Sequence, residues 1–150
     1  MIEALCPTEA ETRAVARRLA ALLRPGDVIL LTGGLGVGKT LFTGGLASGL
    51  GVEEQVLSPS FVFVRQYRTG FLPVIHVDVY RLNSLNEFDD LEVFDLAQNG
   101  VVVIEWGDAL NGAIPEDHLR VEFTVEPDKS RTLRLIPNGS WIDRDLGSVA

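Results

Sequence analysis

Val28-Ile29-Leu30-Leu31-Thr32 runs directly into Gly33-Gly34-Leu35-Gly36-Val37-Gly38-Lys39-Thr40, and the reading of these residues decides the fold. The first five form an uninterrupted apolar run of the kind a strand buried on both faces shows. The next eight fit G-x-x-x-x-G-K-[ST], the Walker A pattern, at every fixed position. Beyond them Phe42, Leu46 and Leu50 recur every four residues up to Gly51, which predicts a helix ended by a glycine. Strand, glycine-rich loop and helix, in that order, form the context in which the motif has a mechanical meaning: glycines let successive N–H groups converge on phosphate oxygens, and the helix N-terminus adds partial positive charge. Lys39 then reaches the β- and γ-phosphates of a bound nucleotide, and the Thr40 hydroxyl ligates Mg²⁺. The rival reading is a merely structural glycine turn. Rough residue frequencies give about one chance match in a hundred chains of this length, before the strand and helix are required.

Working outward, Thr8-Glu9-Ala10-Glu11 has the S/T-x-x-E pattern of a capping box, and Val15, Leu19, Leu22 and Leu23 follow with helical spacing until Pro25-Gly26. Downstream, the stretches from Phe61 to Tyr67 and from Val74 to Val79 read as strands. Ser84-Leu85-Asn86-Glu87 opens a short helical region, and Val101-Val102-Val103-Ile104 is another buried strand. Leu119 to Val125 and Thr132 to Ile136 flank the turn cluster Pro127-Asp128-Lys129-Ser130, which predicts a hairpin. Strands alternating with helices and then a hairpin predict an α/β fold. The expectation is a P-loop NTPase-like three-layer sandwich, its central sheet largely parallel, with an antiparallel hairpin at one edge. The 150 residues make one domain, with a core of about 5–136 and a tail over 137–150.

Composition narrows the function. With 46% hydrophobic and 23% charged residues the chain can bury a core, and no apolar run approaches the length of a membrane span. Met1–Cys6 carries no basic or apolar leader signal, so the expected location is the cytoplasm. Cys6 is the only cysteine, which excludes an intrachain disulfide and a cysteine-based zinc site. Thirteen basic residues against 21 acidic give a net charge of −8, which is not the footprint of a stand-alone nucleic-acid binder. Between Arg81 and Arg120 there is no Lys or Arg but there are nine acids, a solvated face or a docking surface for a basic partner.

A P-loop protein also needs an acid at the end of a neighbouring buried strand, to hold Mg²⁺ or to orient the attacking water. Asp78 and Glu105 both follow apolar runs directly, and carboxylates in such places call for an explanation. His76 reads as a satisfied sheet residue rather than a ligand. Arg81, beside Tyr80, sits where a guanidinium neutralises phosphate charge or makes a surface ion pair. Trp106 reads as core packing before substrate stacking. Ser58-Pro59-Ser60-Phe61 is either a Pro turn into a strand or a segment whose Ser60 hydroxyl responds to the γ-phosphate.

Taken together, GxLGxGKT at Gly33–Thr40, SP[TS]F at Ser58–Phe61, HxDxYR at His76–Arg81 and EW at Glu105–Trp106 resemble the TsaE family, formerly YjeE. These four motifs, in this order and at these spacings, cover the chain over roughly residues 5–136. The resemblance implies a small ATPase of bacterial tRNA threonylcarbamoyladenosine (t6A) biosynthesis. It would work with the TsaB and TsaD proteins, after TsaC has made threonylcarbamoyl-adenylate, on A37 of tRNAs that read codons starting with A. It implies ATP and Mg²⁺ as cofactors and roles in nucleotide binding, Mg²⁺ binding and turnover for Lys39, Thr40, Asp78 and Glu105. By position it also implies that Glu9 and Arg131 touch the nucleotide, together with the loop residues Gly34, Leu35, Gly36, Val37 and Gly38. The sequence departs from the family at Gly34, where Asp is usual, and at Ser60, where Thr is usual.

The reading is therefore a Mg²⁺-dependent ATPase, slow alone and stimulated by partners. Lys39 cradles phosphates, Thr40 ligates the cation, and Glu105 and Asp78 hold the cation and orient water, in roles that are interchangeable on sequence alone. Two rivals stand beside it: an ATP-gated binding module without productive turnover, and a small-molecule P-loop kinase.

Overall fold

The computed structural model describes residues 1–34, 36–57, 64–79, 92–96, 98–105 and 114–150. Its strands are β1 (Ile2–Cys6), β2 (Val28–Thr32), β3 (Val64–Tyr67), β4 (Val74–Asp78), β5 (Val101–Glu105), β6 (His118–Val125) and β7 (Arg131–Asn138). The helices are α1 (Glu9–Ala20), α2 (Lys39–Gly49) and the single turn α3 (Val93–Leu96), with 3₁₀ turns at Gly139–Asp143 and Leu146–Ser148. The strands form one sheet in the order β1-β7-β6-β2-β5-β4-β3. Its centre, β6, β2, β5 and β4, is parallel. β7 and β1 extend it antiparallel on one side and β3 on the other.

β2, β4 and β5 are buried at every position, as their continuous apolar runs demand. One face of the sheet, with Ile29, Leu31, Val101, Val103, Leu119 and Val121, packs against Leu19 of α1 and Phe42 and Leu46 of α2. The other face, with Val28, Leu30, Ile75, Val77, Val102 and Ile104, is covered by Val93, Phe94 and Ile114. α1 begins as its capping box predicts: Thr8 adopts an extended backbone and its hydroxyl accepts the Glu11 N–H at 3.3 Å. α2 ends at Gly51, whose φ of 80° is left-handed, with Val52 N–H donating back to Ala47 O at 3.0 Å. The two helices approach so closely that a Cβ at Gly45 would lie 2.7 Å from Arg13 O, and one at Gly49 2.6 Å from Ala20 Cβ.

Three expectations are corrected. The antiparallel additions lie at both edges rather than one, because β3 folds back on β4 with Val64 opposite Val77 while β1 joins β7. The core extends at its N-terminal end, since Ile2–Cys6 is a strand with Ala4 and Cys6 facing inward. It extends at the other end too: Trp141, Leu146 and Val149, read as tail, are buried. The tail is clasped to the body by Arg144, whose guanidinium takes both oxygens of Asp27 at 2.6 and 2.8 Å, donates to Leu22 O at 3.1 Å and lies 3.9 Å from the Trp141 ring centre. Of the expected strand at 61–67, Val64–Tyr67 is present and 61–63 lie outside the described residues, as does the capping box at Ser84–Glu87. Among the described residues no helix is long and apolar enough to cross a membrane.

Candidate active site

The glycine loop leaves the C-terminal end of β2 and enters α2, and among its described residues Gly33 at 141°, Gly36 at 72° and Gly38 at 109° have positive φ. Gly33 is required on a second count, because a Cβ there would lie 2.9 Å from Phe123 O and 3.1 Å from a Val37 methyl. Gly38 takes the N-cap position of α2 and has no side chain to cap the helix, and the first turn holds no acid. The helix therefore presents backbone N–H groups and partial positive charge to whatever the loop encloses, the arrangement suited to an anion. Lys39 is buried and its Nζ donates to Gly33 O at 2.9 Å and Gly34 O at 3.2 Å, so the ammonium lies folded along the inside of the loop. Arg131, arriving from β7, braces the outside with Nε donating to Val37 O at 3.0 Å.

The two acids follow from register. In the parallel pair β4 and β5, Asp78 lies opposite Glu105, and on the other flank of β5 Leu31 of β2 pairs with Glu105. Both residues are 4% exposed, at the C-terminal ends of β4 and β5, which run parallel to the β2 strand from which the glycine loop departs. Thr40 Oγ1 lies 3.2 Å from each oxygen of Glu105. His76 Nε2 lies 2.5 Å from Glu105 Oε2, and His76 Nδ1 faces the Tyr67 hydroxyl at 3.4 Å. Tyr67 bonds in turn to the backbone N and O of Leu57, both at 3.3 Å. Burial pushes the Tyr67 hydroxyl above its ordinary range, against a backbone hydrogen bond and the charge of Arg65, so it is a neutral hydrogen-bonding group.

These residues fit a nucleotide phosphate chain with its cation. The start of α2 offers backbone N–H groups beside a buried ammonium held by two loop carbonyls, and the donor set next to it is one hydroxyl and carboxylate oxygen, the hard ligands Mg²⁺ takes. Among the described residues there is no cluster of three His, Cys, Asp or Glu side chains that would enclose a metal. A Mg²⁺ ion does not need one, since it draws most of its ligands from water and phosphate oxygens. Beside the loop, between the start of α1 and the β6–β7 turn, is a cavity of about 270 Å³ lined by Thr8, Glu9, Gly36, Val37, Gly38, Lys129 and Arg131 among others. On the far side of α2 an open groove of about 510 Å³ runs past Thr40 between Arg13, Arg17 and Val52.

A family model described as threonylcarbamoyl adenosine biosynthesis protein TsaE matches residues 6–133. The chain belongs to the TsaE family. It is 38% identical over 130 residues to the tRNA threonylcarbamoyladenosine biosynthesis protein TsaE of Bacillus subtilis, covering 87% of this chain and 82% of that one. To the protein of the same name from Streptomyces coelicolor it is 45% identical over 114 residues, 74% of this chain and 77% of the relative. The crystal structure of YdiB from Bacillus subtilis superposes with a TM-score of 0.78 at 33% identity, over 92% of this chain and 86% of that one.

The segment matched by the TsaE model runs from before Glu9 to beyond Arg131; it includes Asp27 and leaves Arg144 outside. Within it the structure brings the anticipated residues into two groups. Lys39, Thr40, Asp78 and Glu105 gather where the glycine loop meets the ends of β4 and β5. Glu9, Gly36, Val37, Gly38 and Arg131 line the adjacent cavity. Gly34 contributes its carbonyl to Lys39. Leu35, Ser60, Tyr80, Arg81 and Trp106 lie outside the described residues. His76 is a satisfied sheet residue, as read, but what satisfies it is Glu105. The sequence marks Tyr67 only as a tyrosine at the end of an expected strand, and its partners emerge from the pairing of β3 with β4.

Proposed function

We propose that this TsaE-family chain is a Mg²⁺-dependent P-loop ATPase with the layered α/β architecture of that class, acting with TsaB and TsaD to drive t6A formation at A37 of tRNA. One observation carries the reading. The Thr40 hydroxyl, at the uncapped start of α2, faces both oxygens of Glu105 at 3.2 Å, with Asp78 in register beside it. Loop N–H groups and Lys39 hold the phosphates. Thr40 and one acid hold the cation, whose chemistry is to draw charge from the phosphate oxygens, and the other acid orients water for in-line attack. Glu9 and Arg131 contact the nucleoside side through the 270 Å³ cavity. A net charge of −8 supports contact with tRNA through the complex rather than by this chain alone.

The test is phosphate release from Mg·ATP by the purified chain, alone and with TsaB and TsaD, with Lys39→Ala as the blank. Release that rises with the partners and disappears in the variant supports a partner-stimulated ATPase. Tight ATP binding with no release in either setting would replace it with a nucleotide-gated module. Asp78→Asn separates the two from the other direction: under hydrolysis it keeps ATP and partner binding and loses t6A output, whereas under gating output survives.

A further inference from the structure

His76 is 0% exposed and lies in the middle of a five-residue strand otherwise made of Val, Ile and Asp. Its neighbours on that face are Val103, opposite it on β5, and Arg65, opposite it on β3. An aliphatic side chain would fill such a place without any polar group to satisfy, so the imidazole needs another reason. Its two nitrogens supply one. Nε2 meets Glu105 Oε2 at 2.5 Å and Nδ1 meets Tyr67 OH at 3.4 Å, while Tyr67 is anchored on the backbone of Leu57, next to Ser58. An ionised carboxylate only accepts, so Nε2 carries the proton toward Glu105 and Nδ1 faces a hydroxyl able to donate. With its single proton turned to Nδ1, the Tyr67 hydroxyl accepts the Leu57 N–H, and the outcome is a continuous chain, Thr40 to Glu105 to His76 to Tyr67 to Leu57, running from the start of α2 to the far edge of the sheet.

We propose that His76 is a positioning residue for Glu105: its Nε2–H fixes one carboxylate oxygen, so that the carboxylate is aimed at Thr40 before a cation arrives. Glu has three side-chain torsions, and an acid free to turn among them loses affinity for a small octahedral ion with strict geometric demands. Partners of this outer kind orient metal ligands and typically change metal affinity or activity about 10–100-fold when removed. Tyr67 holds the ring in turn. The inference rests on the reading of Glu105 as a cation-holding group.

The experiment is binding of a fluorescent ATP analogue, first in EDTA and then along a Mg²⁺ titration, for the native chain, His76→Leu, His76→Gln and Glu105→Gln. Positioning predicts that His76→Leu binds the analogue as the native chain does in EDTA but needs about tenfold more Mg²⁺ for its metal-dependent gain. His76→Gln, which returns an N–H to that end of the side chain, recovers most of the difference. A native Mg²⁺ dependence in His76→Leu, alongside a shifted one in Glu105→Gln, overturns the positioning role and leaves Glu105 in place. So does an equal loss in EDTA and in Mg²⁺, or a His76→Gln as impaired as the leucine variant. A native Mg²⁺ dependence in Glu105→Gln removes the reading of Glu105, and this inference with it. If His76→Leu does not fold, ¹⁵N imidazole resonances of the native chain decide, with His118→Gln assigning the two histidines. A protonated Nε2 on His76 supports the proposal, and an unprotonated one overturns it.

Discussion

Asp27 and Glu105 are both buried carboxylates, 7% and 4% exposed, and they are held in opposite ways. Asp27 meets the forked guanidinium of Arg144 with both oxygens and also accepts the Arg24 backbone N–H at 2.6 Å. Its partner is permanently charged and shaped for two parallel bonds, so the negative charge is cancelled on the spot. Glu105, among the described residues, meets an imidazole and a hydroxyl. Those groups hydrogen-bond the oxygens without supplying a fixed cation. A carboxylate closed by arginine ties the C-terminal segment to the body of the fold, whereas one that meets an imidazole and a hydroxyl is not closed by a guanidinium, as the cation-holding role proposed for Glu105 requires.

The contrast can be broken by exchanging what each acid loses. Glu105→Gln is expected to lower partner-stimulated phosphate release on the order of 100-fold. Its melting temperature without nucleotide should stay level or rise, because a buried charge not closed by a bidentate guanidinium is removed while the amide still accepts from His76 and Thr40. Arg144→Ala should do the reverse. Leaving Asp27 buried and unpaired costs about 3–5 kcal/mol. For a chain of this size that is a fall in melting temperature on the order of 10 °C. Phosphate release by the folded fraction should persist. Asp27→Asn combined with Arg144→Met should recover much of the lost stability, as replacing a whole buried pair is far milder than removing half of it. Thermal unfolding beside phosphate release checks all three variants. A Glu105→Gln protein as unstable as Arg144→Ala would make both acids structural.

How much of this was legible depended on whether partners were close in sequence. The glycine loop was, because Val28–Thr40 carries strand, turn and helix start in one stretch, and each position answers to a local demand such as the positive φ of Gly33, Gly36 and Gly38. Asp78 and Glu105 were legible as acids after apolar runs. Their adjacency needed the β4–β5 register. The His76–Glu105 contact spans 29 residues and Arg144–Asp27 spans 117, and no periodicity links such positions. β1 is illegible for a different reason. Its inward residues are the small Ala4 and Cys6 and its outward ones include Leu5, 64% exposed, so the alternation that marks a strand is inverted in size and weak in β-propensity. Only pairing with β7, Ile2 opposite Leu135 through Cys6 opposite Arg131, makes it a strand. The packing of the C-terminal segment is illegible because Trp141, Leu146 and Val149 are scattered among polar residues without a helical or strand period, and packing alone gathers them.

A third carboxylate placed in the open would sharpen the comparison at its weak end, and Gly34 is the place for it. Unlike Gly33, it does not have a left-handed φ, and a Cβ there would meet a Val37 methyl at 3.8 Å, an ordinary contact. Gly33→Ala puts a Cβ 2.9 Å from Phe123 O and should cost about 1–3 kcal/mol. Gly34→Asp should change stability by no more than about 0.5 kcal/mol, since the new side chain leaves from an exposed position and water satisfies it. Its effect should fall on binding instead. An exposed negative charge one residue beyond Gly33, near the carbonyls that hold Lys39, should weaken the nucleotide by a few-fold at low salt, and raising ionic strength should erase most of that loss. Melting curves and nucleotide titrations at two salt concentrations check both halves. A large loss of stability would mean that the loop admits no side chain at this position, while a binding loss that ignores salt would mean that the new carboxylate reaches the phosphate site itself rather than acting through the field around it.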